Sequence, residues 1–201
     1  MKYKFQIMIM ALFFMPMVAL GVLYLTNGLE VKELPVYGEV PYFSLTERND
    51  VTVDKNALQN KVWIANFIFT HCAGQCPGIV MAAQQVQKAL RFKEPFRLVS
   101  ISMDPERDTP DVFKAYATRV SADPFKWLFL TGDKTEIQKL VKDGFHLAAV
   151  EGIDEGDNVT HSSKLVLVDG VGRIRGYYDA EDDAQVKRLI KDAKGLIRGI
   201  L

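Results

Sequence analysis

Thiols and imidazoles are scarce in this chain. Its 201 residues include two cysteines, Cys72 and Cys76, and three histidines, at positions 71, 146 and 161. Any thiol chemistry must therefore involve residues 67–81, where an apolar run ends at His71 and the cysteines follow. A domain of this length does not need a disulfide to stabilise its core, so the two cysteines are candidates for a functional role.

An excess of charge of either sign is also missing. The chain carries 25 basic and 25 acidic residues, so its formal net charge is zero. No basic field attracts nucleic acid, and no nucleic-acid partner is expected. The chain contains no internal repeat, and its 48% hydrophobic and 25% charged residues are ordinary values for one globular domain.

Charge is absent altogether from residues 7–25. These 19 residues, at about 1.5 Å each, span the roughly 30 Å core of a bilayer. The run is longer than the apolar part of a signal peptide and no A-x-A cleavage site follows it, so we expect a retained transmembrane helix. Because no cysteine lies near its end, a lipid-modified amino terminus is not expected.

Lysines precede this run, and the positive-inside rule then places the amino terminus in the cytoplasm. The rest of the chain is expected on the outer side of the plasma (inner) membrane. In a bacterium with two membranes, the compartment on that side is the periplasm. We divide the chain into a membrane anchor at residues 1–27, a tether at 28–39 and one domain at 40–201.

The domain begins with a predicted hairpin, whose strands at 43–45 and 51–53 cover one end of a sheet. Residues 61–70 then form an apolar run typical of a central strand buried on both faces. Proline follows Cys76 at a position suited to a first helical turn, which predicts a helix to residue 90. The later elements are predicted as a strand at 96–103, a helix at 110–120, a strand at 127–130, a helix from 133 to about 143, strands at 165–168 and 173–178, and a closing amphipathic helix from 179.

Alternation of these elements predicts an α/β sandwich, a mixed sheet covered by helices. The order βαβ followed by ββα resembles the thioredoxin fold with an N-terminal hairpin extension, here preceded by the predicted transmembrane helix. In that fold, cysteines at this position lie at the carboxyl end of a central strand and at the amino terminus of the first helix. Such a helix end stabilises a thiolate.

Three roles are open to Cys72 and Cys76. A structural disulfide would close a very short loop and stabilise the fold by only ~2 kcal/mol before strain. A redox couple fits the position, but the spacing is one residue longer than C-x-x-C. No proline follows Pro124, so the cis-proline that thioredoxin-like enzymes place opposite their cysteines is absent, and His161 occupies the expected location.

A metal clamp is the third role, and it needs at least one more ligand besides the thiolates. His161 is the best candidate, because the loop before one central strand faces the carboxyl end of its neighbour. His71 projects differently from Cys72, and His146 opens an apolar run that predicts a strand. Two thiolates and an imidazole suit Cu(I), or Cu(II) if another donor joins, and zinc remains the alternative metal.

Three blocks of sequence together resemble the Sco (SenC) family of copper-binding cytochrome c oxidase assembly proteins. They are FTHCAGQCP at 69–77, SMDPERDTP at 102–110, and VTHSSKLVLVDGVGRIRGYY at 159–178, which contains His161. The resemblance covers most of the chain. One departure is the insert AGQ between the cysteines, which lacks the acidic residue that many relatives carry there.

The resemblance implies a membrane-tethered copper chaperone, not an enzyme, that binds copper through Cys72, Cys76 and His161. Its implied partner is the oxidase subunit whose binuclear copper site it helps to metallate, with other copper chaperones or thiol reductants as further partners. Some members are also assigned a thiol-disulfide role through the same cysteines. Asp104 and Asp108 match the family's acidic block, and we interpret them as groups that orient the metal site or contact a partner, with helix capping as the alternative.

Overall fold

The computed structural model describes residues 14–18, 33–71, 76–147 and 162–200, and one eight-stranded sheet organises those from Leu34 onward. The strand order is β1-β8-β7-β4-β5-β6-β2-β3. The strands are β1 Gly38–Glu39, β2 Ser44–Glu47, β3 Thr52–Asp54, β4 Val62–Ile68, β5 Phe96–Ser102, β6 Trp127–Thr131, β7 Lys164–Val168 and β8 Arg173–Asp179. The three central strands β4, β5 and β6 are parallel, and all other neighbours pair in antiparallel fashion.

Helices cover both faces of this sheet. They are α1 Cys76–Leu90, α2 Pro110–Arg119, α3 Lys134–Lys139 and α4 Asp183–Ile200, with a 3-10 turn at Lys55–Leu58 and a π-helical turn at Leu140–Gly144 after α3. Side chains of α1, α2 and α4 pack into one core cluster, while α3, the π-helical turn and the N-terminal strands pack into a second cluster on the opposite face. The mixed α/β sandwich predicted from the sequence is confirmed.

Strand β4 is the centre of both clusters because all seven of its residues are buried. Side chains alternate along a strand, so Ile64 points into the first cluster whereas Trp63 and Phe67 point into the second. Phe145, which follows the π-helical turn, packs edge-on against both aromatic rings, at centroid distances of 6.0 Å and 5.1 Å. These contacts hold the strand that leads to Cys72 between two helical layers.

Local signals in the sequence account for two helix starts. Thr109 is the N-cap of α2, and its hydroxyl accepts a hydrogen bond from the Val112 N–H while Pro110 occupies the first turn. Asp133 caps α3 by accepting from the Glu136 N–H at 3.0 Å. The helix predicted to reach about residue 143 does so, although its last turn is π-helical.

The N-terminal hairpin forms as predicted, from β2 and β3, and it extends the edge of the sheet beside β6. Strand β1 lies within the range interpreted as a tether and pairs with β8. The chain just before β1 is also attached, since Arg175 donates hydrogen bonds to the carbonyl groups of Leu34 and Pro35. Residues from Leu34 onward therefore form one unit with the domain.

The sequence-based prediction for His146 is wrong. This residue has a φ of 53°, in the left-handed region, and is not part of a strand. Its ring lies against β1, where a Cβ atom on Gly38 would come within 2.8 Å of the imidazole Nε2. The close approach of the His146 ring to the β1 backbone is a tertiary contact, which the apolar residues after His146 do not reveal.

Among the described residues, no helix has the length and apolar character needed to cross a membrane. Most of the apolar run at 7–25 lies outside them, and residues 14–18 within it are helical. The transmembrane helix therefore stays a prediction.

Candidate metal centre

A fully buried carboxylate, that of Asp108, ties together the carboxyl ends of β4 and β5. Its Oδ1 accepts hydrogen bonds from the Thr70 hydroxyl at 2.6 Å and from the Thr70 N–H at 3.1 Å. Its Oδ2 accepts from the Ser102 hydroxyl at 2.7 Å. Because Thr70 stands two residues before Cys72, this network anchors the chain as it leaves β4 toward the first cysteine.

The network continues to Asp104 through its backbone. The Asp104 N–H donates to Ser102 Oγ at 3.0 Å, so the Ser102 hydroxyl accepts one hydrogen bond and donates another to Asp108. A buried polar group that is fully hydrogen-bonded adds rigidity, whereas an unpaired one is costly. The arrangement makes the end of the sheet a stiff platform for the cysteine turn.

Thr70 also contacts His71, with 3.2 Å between Thr70 Oγ1 and His71 Nδ1. A hydroxyl has one proton, and the short bond to Asp108 engages it, so Thr70 Oγ1 acts as the acceptor for an Nδ1–H of His71. The neutral imidazole then keeps its lone pair on Nε2. His71 is exposed and immediately precedes Cys72 in the sequence.

The Asp104 side chain has different surroundings. It is partly exposed, and its carboxylate lies 3.5 Å from the exposed guanidinium of Arg107. Neither it nor Asp108 caps α2, since Thr109 does so. Asp108, which is buried, has the contacts expected of a group that orients the predicted metal site. Asp104 is partly exposed and is therefore accessible to a partner.

The predicted ligands fall largely outside the described residues. Cys72 and His161 are not described, and Cys76 is described only as the first backbone position of α1. Within the described ranges, no group of three or more His, Cys, Asp or Glu residues is placed to hold a metal. Both oxygens of Asp108 are already engaged as acceptors, so this carboxylate could bind a metal only by giving up those bonds.

Three chain segments nevertheless converge at this end of the sheet. Strand β4 ends at Ile68 and leads to Cys72, and α1 begins at Cys76. Strand β7, which begins just after His161, pairs with β4 through Trp63–Val168, Ile64–Leu167 and Ala65–Val166. Because this pairing is antiparallel, the start of β7 at Lys164 lies beside the end of β4.

Two residues of the network, Thr70 and Ser102, were not singled out from the sequence. Both stand at the ends of predicted buried strands, and a hydroxyl at such a position is a weak signal because its partner cannot be identified locally. Asn66, in the middle of β4, is another such residue. Its side-chain amide is fully buried and has no hydrogen-bond partner among the described residues.

A family model described as SCO1/SenC matches residues 35–198, which is most of the chain. This chain belongs to the SCO1/SenC family. The match runs from just before β1 to the last turn of α4, and it includes all three converging segments.

Individual members of the SCO1/SenC family are similar over nearly their whole length. The SCO1 protein homolog of Bacillus subtilis (strain 168) is 31% identical over 170 residues, covering 84% of this chain and 87% of the relative. The solved structure of BsSco, in which a disulfide switch was identified, is 30% identical with a TM-score of 0.69, covering 82% of this chain and 97% of that one. Bradyrhizobium japonicum ScoI, solved with copper bound, is 26% identical with a TM-score of 0.62 and covers 79% of this chain and 99% of its own.

Proposed function

We propose that this protein is a membrane-anchored copper chaperone that binds copper through Cys72, Cys76 and His161 and helps to metallate the binuclear copper site of cytochrome c oxidase. The observation that carries the proposal is the convergence of three segments at one end of the sheet. The end of β4, the start of α1 and the start of β7 are the chain positions next to these ligands. The copper-bound relative of the same family supports the choice of metal.

Copper is the cargo in this function. Reduced thiolates are soft ligands for Cu(I), and an imidazole completes three-coordination or, with a further donor, a Cu(II) site. The backbone N–H groups at the start of α1 favour a thiolate at Cys76 through the helix dipole. Release to the oxidase subunit would proceed by ligand exchange, in which incoming ligands replace the three side chains one at a time.

The redox state of the cysteines controls loading. A disulfide offers no thiolate, so copper binds only when Cys72 and Cys76 are reduced. In an extracytoplasmic location a thiol reductant would have to keep the pair reduced, and another copper chaperone could supply the metal. The predicted helix at residues 7–25 would hold the domain at the outer face of the plasma membrane, where the oxidase lies.

A thiol-disulfide oxidoreductase is the alternative function, supported by the disulfide switch identified in BsSco. In this reaction one cysteine thiolate attacks a substrate disulfide and forms a mixed disulfide, and the second thiolate displaces the substrate. The substrate leaves as two thiols, and Cys72 and Cys76 are left as a disulfide. The substrate would be the oxidised, disulfide form of the cysteines of the oxidase copper site or of other extracytoplasmic thiols.

Copper titration of the reduced full chain in detergent tests the proposal. We expect one copper per chain with a sulfur-to-copper charge-transfer band, and we expect His161→Ala to change both affinity and spectrum. His146→Asn is a matched control, because asparagine tolerates the left-handed backbone of His146 and removes another imidazole. Unchanged copper binding by His161→Ala would reject the third ligand.

A turnover assay separates the two functions. Reduction of a disulfide substrate that is abolished by Cys72→Ser and insensitive to His161→Ala would favour the oxidoreductase. Loss of oxidase metallation in cells carrying His161→Ala, with disulfide turnover retained, would favour copper delivery.

A further inference from the structure

A basic groove lies on the domain surface at the end of the sheet remote from the cysteines. It has a volume of about 480 Å³ and lies between α4 and the loop after α1. Five basic side chains and one carboxylate, Glu94, are among the residues that line it. We define the basic surface as Phe92, Lys93, Lys187, Lys191, Lys194 and Arg198.

The charges of this surface are largely uncompensated. Glu94 is already paired with Arg97 and Lys126, and Lys187 is paired with Asp183 at 2.6 Å. The other four basic side chains have no ion pair or side-chain hydrogen bond within the described ranges of the chain. Because the whole chain has a formal net charge of zero, this concentration of unpaired positive charge is a local property that favours an anionic partner.

An exposed aromatic ring stands beside these charges. Phe92 is 86% exposed, and the Arg91 guanidinium lies 5.2 Å from the centre of its ring. The loop that carries Phe92 is held in place, since Lys126 Nζ donates to the carbonyl groups of Arg91 at 2.7 Å and Lys93 at 3.3 Å. A fixed phenylalanine among lysines and arginines is the side-chain combination that binds the interface of an anionic bilayer.

The position of this surface in the fold has a consequence for the candidate metal centre. Strands β4 and β5 begin together at Val62 and Phe96 and end together at Ile68 and Ser102. Helix α1 runs from Cys76, at the metal end, to Leu90, next to the basic surface. Its 15 residues, at about 1.5 Å each, separate the two ends by roughly 22 Å.

We propose that the basic surface docks on anionic phospholipid headgroups, with Phe92 in the interface, and thereby turns the metal end of the domain away from the membrane. Lys93, Lys191, Lys194 and Arg198 would contact the phosphates. The proposal rests on the membrane attachment proposed above, which keeps lipid at high effective concentration, and not on copper binding. An orientation of this kind leaves the cysteine turn accessible to a protein that stands out from the same membrane.

Lipid quenching of a tryptophan at position 92 tests the proposal. The full-length Phe92→Trp variant is reconstituted into vesicles of brominated phosphatidylcholine, with and without phosphatidylglycerol. We expect quenching of the added fluorescence only when phosphatidylglycerol is present, and loss of that quenching at high salt. Trp63 and Trp127 are buried and give a constant background.

Two matched controls sharpen this experiment. Tyr42→Trp places a tryptophan at an exposed aromatic position just before β2, at the same end of the sheet as the cysteines, and it should not be quenched in either vesicle. Added to Phe92→Trp, the pair Lys191→Gln and Lys194→Gln should lower the docked-to-free ratio by about fivefold for each lysine. The pair Lys114→Gln and Lys139→Gln, which removes exposed lysines elsewhere, should leave the ratio unchanged.

Three results would overturn the proposal: no quenching with phosphatidylglycerol, equal quenching without it, or equal quenching of the Tyr42→Trp variant. Flotation of the full chain with phosphatidylcholine vesicles reports the N-terminal anchor separately. Failure of the anchor is therefore distinguishable from failure of the basic surface.

Discussion

The Asp108 carboxylate and the Thr70 hydroxyl are joined by a 2.6 Å hydrogen bond across 38 residues of sequence. The bond links the loop after β5 to the last residues before Cys72. The Asp108 carboxylate is fully buried and also accepts from Ser102, so it positions the residues that lead to Cys72 and is not free to act as a metal ligand.

Replacement of Asp108 should weaken both the fold and the site. An amide has one acceptor oxygen and one donor nitrogen, so Asp108→Asn cannot accept from both Thr70 and Ser102. We expect the free energy of unfolding to fall by about 1–3 kcal/mol and copper affinity to fall by about 10–100-fold. Urea unfolding followed by tryptophan fluorescence, and copper titration, measure the two effects.

Asp104→Asn is the matched control for this experiment. Among the described residues, the Asp104 carboxylate contacts only an exposed arginine, at 3.5 Å, so its loss should change the free energy of unfolding by less than about 1 kcal/mol. Equal effects of the two substitutions would contradict the orienting role of Asp108.

A double-mutant cycle isolates the bond between Thr70 and Asp108. Thr70→Val keeps the shape of the side chain and removes the hydroxyl, and we expect a coupling energy with Asp108→Asn of about 0.5–3 kcal/mol. Thr118→Val serves as the control, because that hydroxyl donates only to the Lys114 carbonyl on α2. Its effect should add to that of Asp108→Asn within about 0.5 kcal/mol, and additivity for Thr70 as well would argue against a direct bond.

Acid should destabilise the turn between β7 and β8 through Asp169. Burial raises the pKa of this carboxyl, but hydrogen bonds from Arg173 and Arg175 outweigh burial and hold the pKa below its ordinary value. Since the pKa is lower in the folded state, the stabilisation is complete above the unfolded value of about 3.9 and is lost as pH falls through the folded value. Stability should therefore decline below about pH 4.

Asp169→Asn should remove this dependence. We expect it to lower the free energy of unfolding near neutral pH by about 1–3 kcal/mol, because it weakens two 2.9 Å contacts with arginine. Its urea midpoint should also fall less steeply below about pH 4 than that of the parent protein. Asp111→Asn, on the exposed face of α2, is the control, and an unchanged acid profile in Asp169→Asn would contradict the assignment.

The aromatic contact between Phe145 and β4 should be a major source of stability. Phe145 is fully buried, so Phe145→Ala should leave a cavity against Trp63 and Phe67 and cost about 3–5 kcal/mol. Phe125→Ala removes the same ring from an exposed position and should change the free energy of unfolding by about 0.5 kcal/mol or less. Similar thermal unfolding temperatures for the two variants would refute the prediction.

Some elements were predictable because their signals are local. The buried run of β4, the Thr109 cap followed by Pro110, and the Asp133 cap each lie within a few consecutive residues, and all three appear as predicted. His146 was not predictable in this way. Its positive φ accompanies a close approach to Gly38, which lies more than 100 residues earlier in the chain.

The role of the acidic block shows the same limit. From the sequence, Asp104 and Asp108 were equivalent candidates for orienting the site, contacting a partner or capping α2. Asp108 is buried and joins two strand ends, whereas Asp104 is partly exposed, and neither property can be obtained from the five residues 104–108 alone. The antiparallel pairing of β7 with β4 is likewise a tertiary property, and it brings the chain beside His161 to the end of β4.

By itself the sequence determined the alternation of strands and helices, the family, and the pair of cysteines at a strand-to-helix turn, because periodicity, capping residues and short motifs depend on neighbouring residues. The tertiary structure alone decided that Asp108 locks Thr70 and Ser102 together, that β1 joins the sheet, and that lysines of α4 meet Phe92 in one basic surface. Those relationships join residues far apart in the chain. They arise because both faces of β4 must be buried. Burying them brings together elements that are distant in the chain, and no local sequence signal in one element identifies the other.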